Sequence, residues 1–263
     1  MQLIDIGANL SHESFAHDLS SVLDHARAVG IAQIVVTGAS EQASLDAHAL
    51  AQQWPRFLYA TAGVHPHHAG DYTADTHETL RGLHRHADVV AVGETGLDYF
   101  RDLSPRATQQ FAFEQQLELA LECGKPLFLH QRDAHDDFIA ILRQLRDRLG
   151  ACVVHCFTAD KRELYECLDL DCHIGITGWI CDERRGTHLI PLMKDIPGNR
   201  LMIETDAPYL LPRTIRPKPK THRNEPRYLP QVLQAVAEAR GESIEQLAAS
   251  TTATAREFFR LPR

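Results

Sequence analysis

The sequence predicts an α/β fold, a (β/α)₈ barrel in a single domain spanning residues 1–263, and three observations carry that prediction. Short apolar runs alternate with amphipathic segments along the chain, the pattern of strands joined by helical crossovers. The runs are apolar on both faces, as parallel strands covered by helices must be. Four of them also end in acidic or metal-capable side chains. Val89–Gly93 runs into Glu94, Pro126–Leu129 into His130, Cys152–Val154 into His155, and Leu201–Ile203 through Glu204 and Thr205 into Asp206. Barrels assemble their active sites at such strand ends. An open doubly wound sheet is the alternative, but its glycine-rich phosphate turn is missing after the first strand.

Leu3–Ile6 opens the chain as a strand. A helix follows with Phe15, Leu19, Val22, Leu23, Ala26 and Val29 on one face, stopped by Gly30. Ile34–Thr37 is the second strand. Ser40 caps the next helix, which runs to about Gln53, by accepting from an orphan amide. Phe57–Val64 is the third strand, and a polar helix near 77–86 leads to the fourth at Val89. Ser104-Pro105 predicts a helix start with a capping hydroxyl and proline in the first turn. That helix turns Phe113, Leu117, Ala120 and Leu121 inward and ends at Gly124. Pro126–Leu129 is the fifth strand, a helix covers 138–149, and Cys152–Val154 is the sixth strand. After a short helix, Cys172–Ile176 is the seventh; after another near Leu189, Leu201–Ile203 is the eighth. Two helices finish the chain, the last opened by the capping box Ser243-x-x-Gln246.

The bulk properties narrow the function classes. Hydrophobic residues make up 44% of 263, enough for a sizeable core. No apolar stretch approaches the roughly 18 residues needed to span a bilayer. The first strand starts at Gln2 or Leu3, so no signal peptide is expected. Six cysteines without framework spacing are expected to be reduced thiols of a cytoplasmic protein. The formal charge of −8 argues against broad attraction to nucleic acid or anionic membranes, and leaves room for a locally basic site. Arg213, Arg216, Lys218, Lys220 and Arg223 provide one, with no acid between Pro212 and Asn224.

A single histidine after an apolar run is as readily a satisfied core residue as a ligand. Two of them, with Glu94 and Asp206 at equivalent strand ends, point jointly to a hydrolytic metal centre. Imidazole and carboxylate suit Zn²⁺ or Mn²⁺, and carboxylate-rich sites also take Mg²⁺. His65 and His67, in Gly63-Val64-His65-Pro66-His67-His68, are candidates to touch the scissile group or its leaving oxygen, or else surface residues of a loop. Asp98 is either an orienter of a ligand or a local backbone cap. Arg132 either binds an anion or pairs with Asp133. Arg184 and Arg185 are either substrate contacts or a solvated pair. The cationic segment after strand eight is a substrate contact, since phosphate sites recur at the late loops of barrels, or a solvated charge run.

Five motifs in order are familiar: Gly63-Val64-His65-Pro66-His67, Gly93-Glu94-x-Gly96-Leu97-Asp98, His130-x-Arg132-Asp133-Ala134, His155-Cys156-Phe157-Thr158 and Glu204-Thr205-Asp206-Ala207-Pro208-Tyr209-Leu210. They resemble the TatD deoxyribonucleases, and the resemblance runs on to Arg223-Asn224-Glu225-Pro226. The segment Gly175–Gly186 is similar to the TatD branch itself. The resemblance implies a metal-dependent barrel of the amidohydrolase-like superfamily that hydrolyses DNA phosphodiesters as a 3′→5′ exonuclease. RNA is a further implied substrate, and DNA repair or degradation the implied role. It implies metal roles for Glu94, His130, His155 and Asp206, with Asp206 also orienting or deprotonating the attacking water. His65 and His67 are expected at the catalytic centre, and Arg132, Arg184, Arg185, Arg213 and Arg223 on the substrate.

One departure bears on the metal. Most of the wider family carries Asp-x-His-x-His on strand one, whereas this chain reads Asp5-Ile6-Gly7-Ala8-Asn9. Glu94, His130 and His155 remain as one site, and the other keeps Asp206, Glu94 and Asn9. Such a site is weaker and harder, suited to Mg²⁺ or Mn²⁺ over Zn²⁺. The expected protein is a monomer without a membrane partner. An amidohydrolase acting on a small or aminoacyl substrate would use the same centre and is the rival reading.

Overall fold

A computed structural model describes residues 1–263. It contains eight strands in one sheet, ordered along the sheet as along the chain, the (β/α)₈ barrel predicted above. The strands are β1 (Leu3–Ala8), β2 (Ile31–Val36), β3 (Leu58–Ala62), β4 (Val89–Asp98), β5 (Leu127–Arg132), β6 (Cys152–Val154), β7 (Cys172–Ile176) and β8 (Leu201–Ile203). The helices are α1 (Leu19–Ala28), α2 (Glu41–Gln53), α3 (Ala74–Leu83), α4 (Arg106–Cys123), α5 (His135–Leu145), α6 (Lys161–Asp169), α7 (Leu189–Leu192), α8 (Leu229–Arg240) and α9 (Ile244–Phe259). No helix is long and apolar enough to cross a membrane.

Residues gather into two compact units, Met1–Val35 with Cys156–Lys161 and Ile174–Arg263 in one, Val36–His155 with Arg162–His173 in the other. In the first, β1 is buried along its whole length and Leu3, Ile6, Leu10, Phe15, Leu23 and Ile34 are fully covered. The end of β8 meets the end of β1 there: Ala207 bridges Ala8, and the Asp206 amide donates to the Gly7 carbonyl at 2.8 Å. Asp5 is buried in the same seam and accepts from the Thr205 amide at 2.9 Å. The capping box of α9 forms as expected, each of Ser243 and Gln246 bonding the other's backbone.

In the second unit all ten residues of β4 are buried, and the core is led by Phe113, Phe128 and Phe138, the first and last stacked 5.4 Å apart. Ser40 caps α2 and Gly124 ends α4 in the left-handed conformation, as the sequence predicts. Two details of α4 differ. Pro105, not Ser104, occupies the cap position, and the Ser104 hydroxyl donates instead to the His67 carbonyl at 3.1 Å. Leu121 is only half-buried; Gln109 and Gln116 fill the inner face. Their amides can do this because each is fully hydrogen-bonded to a strand end, which removes the cost of burying a polar group.

Candidate metal centre

The second unit carries a cluster built from the ends of β3, β4, β5 and β6. The β3 end is held by Gln116, whose side-chain oxygen accepts from the Val64 amide at 2.7 Å while its nitrogen donates to the Val64 carbonyl at 3.0 Å. The His65 amide donates to the Ala39 carbonyl, so the imidazole enters at a fixed angle. Its Nδ1 accepts from the His67 amide at 3.1 Å and caps the short turn Pro66–Asp71.

β4 delivers Glu94 where the strand departs from regular pairing; its register against β5 shifts between Val92 and Thr95. The flanking glycines show why. Gly93 has φ +139° and Gly96 φ +145°, and a Cβ on Gly96 would lie 1.9 Å from the His130 carbonyl oxygen. Only a residue without a side chain tolerates both that backbone angle and that approach. The Gly-Glu-x-Gly motif is therefore the covalent condition for bringing β4 and β5 together around the carboxylate.

Glu94 Oε1 is the focus of the cluster. It lies 2.7 Å from His155 Nε2, 3.0 Å from His130 Nδ1 and 3.3 Å from His65 Nε2. The ligand atoms of His65, Glu94 and His130 fall within 4.8 Å of one another. Behind them sits Asp98, with Oδ2 at 2.8 Å from His67 Nε2 and 3.5 Å from His130 Nε2. Asp98 Oδ1 also accepts from the Arg101 amide, so this carboxylate both orients imidazoles and caps the following turn. Gln109 fixes it in place by bonding the Asp98 amide and carbonyl.

The electrostatics favour a bound cation. Burial alone would raise Glu94, but the imidazoles of His155, His65 and His130 hold it well below the ordinary carboxylate range. Asp98 is likewise lowered by His130 and His67 against its burial. Burial tends to lower His130, yet Asp98 and Glu94 raise it on balance. Burial keeps His65 well below the usual histidine range, only partly opposed by Glu94. A buried carboxylate ringed by neutral-capable nitrogens is a donor set that fits a divalent ion.

Asp206 lies in the first unit, just past β8, with φ +54° and its Oδ1 accepting from Asn9 Nδ2 at 3.0 Å. A non-glycine residue in that region is held there by its surroundings, which here include the β1 bond described above. Glu204, which the sequence reading left without a role, is fully buried and accepts from the Cys156 amide at 2.6 Å. Arg132 lies under the exposed Phe100 ring, 3.8 Å from its centroid.

The other arginines each have a carboxylate partner. Asp182, almost fully buried, receives Arg184 at 3.2 Å and Arg185 at 3.0 Å, with Arg213 at 3.7 Å; Arg213 also reaches Glu183 at 2.9 Å. Asp182 is held well below the usual range by Arg184 above all. These residues, with Trp179, Lys218 and His222, line an open cavity of about 460 Å³. Arg223 forks onto Asp18 at 2.6 Å and Glu225 at 3.0 Å. Asp182 is a near neighbour in sequence of Arg184 and Arg185, and Glu225 of Arg223, whereas the Arg213–Glu183 and Arg223–Asp18 pairs join segments distant along the chain and carry no sequence signal.

Residues 4–260 match the family model described as TatD related DNase. A Pantoea ananatis protein named 3′-5′ ssDNA/RNA exonuclease TatD is 48% identical over 259 residues, 98% of this chain and 100% of its own length. An Erwinia billingiae protein of the same name is 49% identical over 260 residues, covering 99% and 100%. Among solved structures, the TatD homologue YJJV of Escherichia coli superposes with a TM-score of 0.89 at 28% identity, covering 99% of this chain and 98% of that one.

Proposed function

From the premise that the chain belongs to the TatD-related DNase family, we propose that it is a metal-dependent 3′→5′ exonuclease acting on single-stranded DNA and RNA. The observation that carries the reading is the convergence of three imidazoles on the Glu94 carboxylate, in a chain about half identical to proteins named for that activity. The residues to hold the ion are Glu94, His130 and His155, with Asp206 and Asn9 supplying harder oxygen donors. Such a mixture favours Mg²⁺, with Mn²⁺ and Zn²⁺ as the alternatives. When bound, the ion polarises the phosphoryl oxygen and acidifies a water.

The chain's own groups do the rest. Asp98 lies 3.5 Å from His130 Nε2, on the side where its charge favours the proton on that nitrogen and so leaves Nδ1 for the ion, the carboxylate–histidine arrangement common at metal sites. His65 differs. Its Nδ1 already accepts from the His67 amide, so in the neutral ring Nε2 must carry the proton. His65 is thus a donor, placed to bond a phosphoryl or leaving oxygen, and its burial keeps it neutral for that task. His67, paired to Asp98, steadies the same carboxylate. Asp206, fixed by Asn9, accepts the proton of the attacking water. Arg132 meets the phosphates of the strand together with Arg184, Arg185, Arg213 and Arg223, the last four sharing their present carboxylate partners. The whole chain works as one hydrolase domain, a cytoplasmic monomer serving DNA repair or degradation.

The test is to strip the protein of metal and incubate it with 3′- and 5′-labelled single-stranded DNA and RNA, adding Mg²⁺, Mn²⁺ or Zn²⁺ separately. Metal-dependent shortening from the 3′ end is expected. Cleavage of a small amide or ester with none of a nucleic acid would overturn the proposal in favour of an amidohydrolase.

A further inference from the structure

A second group of ligand-type side chains lies far from the centre just described. His48 comes from the middle of α2, His86 from the loop after α3, and Asp88 immediately precedes β4. Their ligand atoms all fall within 4.8 Å of one another. His48 Nδ1 is 3.2 Å from Asp88 Oδ2, and the two imidazole rings are 4.3 Å apart between centroids, tilted by 36°. His48 is 9% exposed, and its Nδ1 makes no hydrogen bond. Asp88 and Glu94 are six residue steps apart along the strand, about 20 Å at 3.3 Å per residue, so the group has no part in the proposed catalysis.

We propose that His48, His86 and Asp88 form a second, non-catalytic site for a divalent ion of the zinc class. Two imidazoles and one carboxylate are the donors that Zn²⁺, Co²⁺ and Ni²⁺ prefer, and Mg²⁺ does not. Ligands about 2.0 Å from a tetrahedral ion stand about 3.3 Å from one another, close to the His48–Asp88 separation. The buried nitrogen without a hydrogen bond is then explained, since an ion would satisfy it.

The backbone around the site is already fixed. His48 rides on a capped helix, and Lys125 Nζ donates to the carbonyls of His86 and Val89. Lys125 also faces Asp88 as a competing cation. His86 is exposed, so the fourth position is open to water and the ion exchanges. The bound ion clips α2 to the loop that enters β4.

The experiment uses the full-length chain carrying Glu94→Gln with His155→Ala, which disables the centre at the other end of β4. Co²⁺ titration is read by visible absorption, and Zn²⁺ by calorimetry. One ion per chain at micromolar affinity is expected, with a four-coordinate Co²⁺ spectrum. Adding His86→Ala or Asp88→Asn should weaken binding at least tenfold. In the otherwise native chain, His86→Ala should leave Mg²⁺-dependent hydrolysis unchanged, and circular dichroism should show the fold intact. Binding only at millimolar ion, or binding that ignores both His86→Ala and Asp88→Asn, would overturn the site.

Discussion

Glu94 shows how much chemistry one strand-end residue concentrates, and its neighbours rank the consequences of changing it. Glu94→Gln and His155→Ala should each lower hydrolysis by at least about a thousandfold while circular dichroism stays native, since strand-end side chains serve the site more than the core. Near-normal turnover in His155→Ala would refute the assignment. Asp98→Asn is subtler: it keeps the Arg101 cap but turns the orienting carboxylate into an amide. Metal affinity should fall about 10- to 100-fold with a smaller loss of activity at saturating Mg²⁺. The candidate ligands Glu94, His130 and His155 were legible because each ends an apolar run. The donor role proposed for His65 was not, because it depends on which nitrogen the His67 amide occupies. Gln109 and Gln116 were equally hidden, since a glutamine on a helix ordinarily faces water and only the strand ends they bind explain their burial.

At the scale of elements, the strands were legible from apolar runs, but the irregularity of β4 was not, for it arises from pairing with β5. Gly96 tests that link. Alanine there faces an unfavourable φ of +145° and a backbone oxygen 1.9 Å from its Cβ, so destabilisation by about 3 kcal/mol or more is expected in urea unfolding. A variant as stable as the parent would show that β4 and β5 can separate without cost.

The β1–β8 seam makes a prediction about pH. Burial raises Asp5 from 3.8 to about 7, against the hydrogen bonds from Thr205 that lower it. The folded chain therefore keeps a proton that the unfolded chain releases between about pH 4 and pH 7. Stability should fall as pH rises through that window and level off above it, by at most about 4 kcal/mol from this group. Asp5→Asn removes the titration. Urea midpoints at pH 5 and pH 8 should differ less in the variant than in the parent; identical differences would clear Asp5 of the effect.

For the whole molecule the question is how a chain of net charge −8 holds a polyanion. The sequence shows a run of cations after β8, but not that Asp182, Glu183, Asp18 and Glu225 already pair with Arg213 and Arg223 of that run and with the arginines after β7. Phosphates must share these guanidiniums, so binding should be weak and its salt dependence shallow. Each contact on a single strand adds about −0.7 to the slope of log affinity against log salt. The two key arginines should then separate. Arg213 is exposed, and Arg213→Ala should flatten the slope by about 0.7 with no change in unfolding temperature. Arg223 is more enclosed and ties Asp18 to Glu225, so Arg223→Ala should flatten the slope similarly and also lower the unfolding temperature by a few degrees. Both are measured by fluorescence polarisation of a labelled oligonucleotide in the Glu94→Gln background, alongside a thermal melt. A lowered melting temperature with an unchanged slope would make Arg223 a structural tie and leave Arg213 and its neighbours on the cavity as the phosphate contacts.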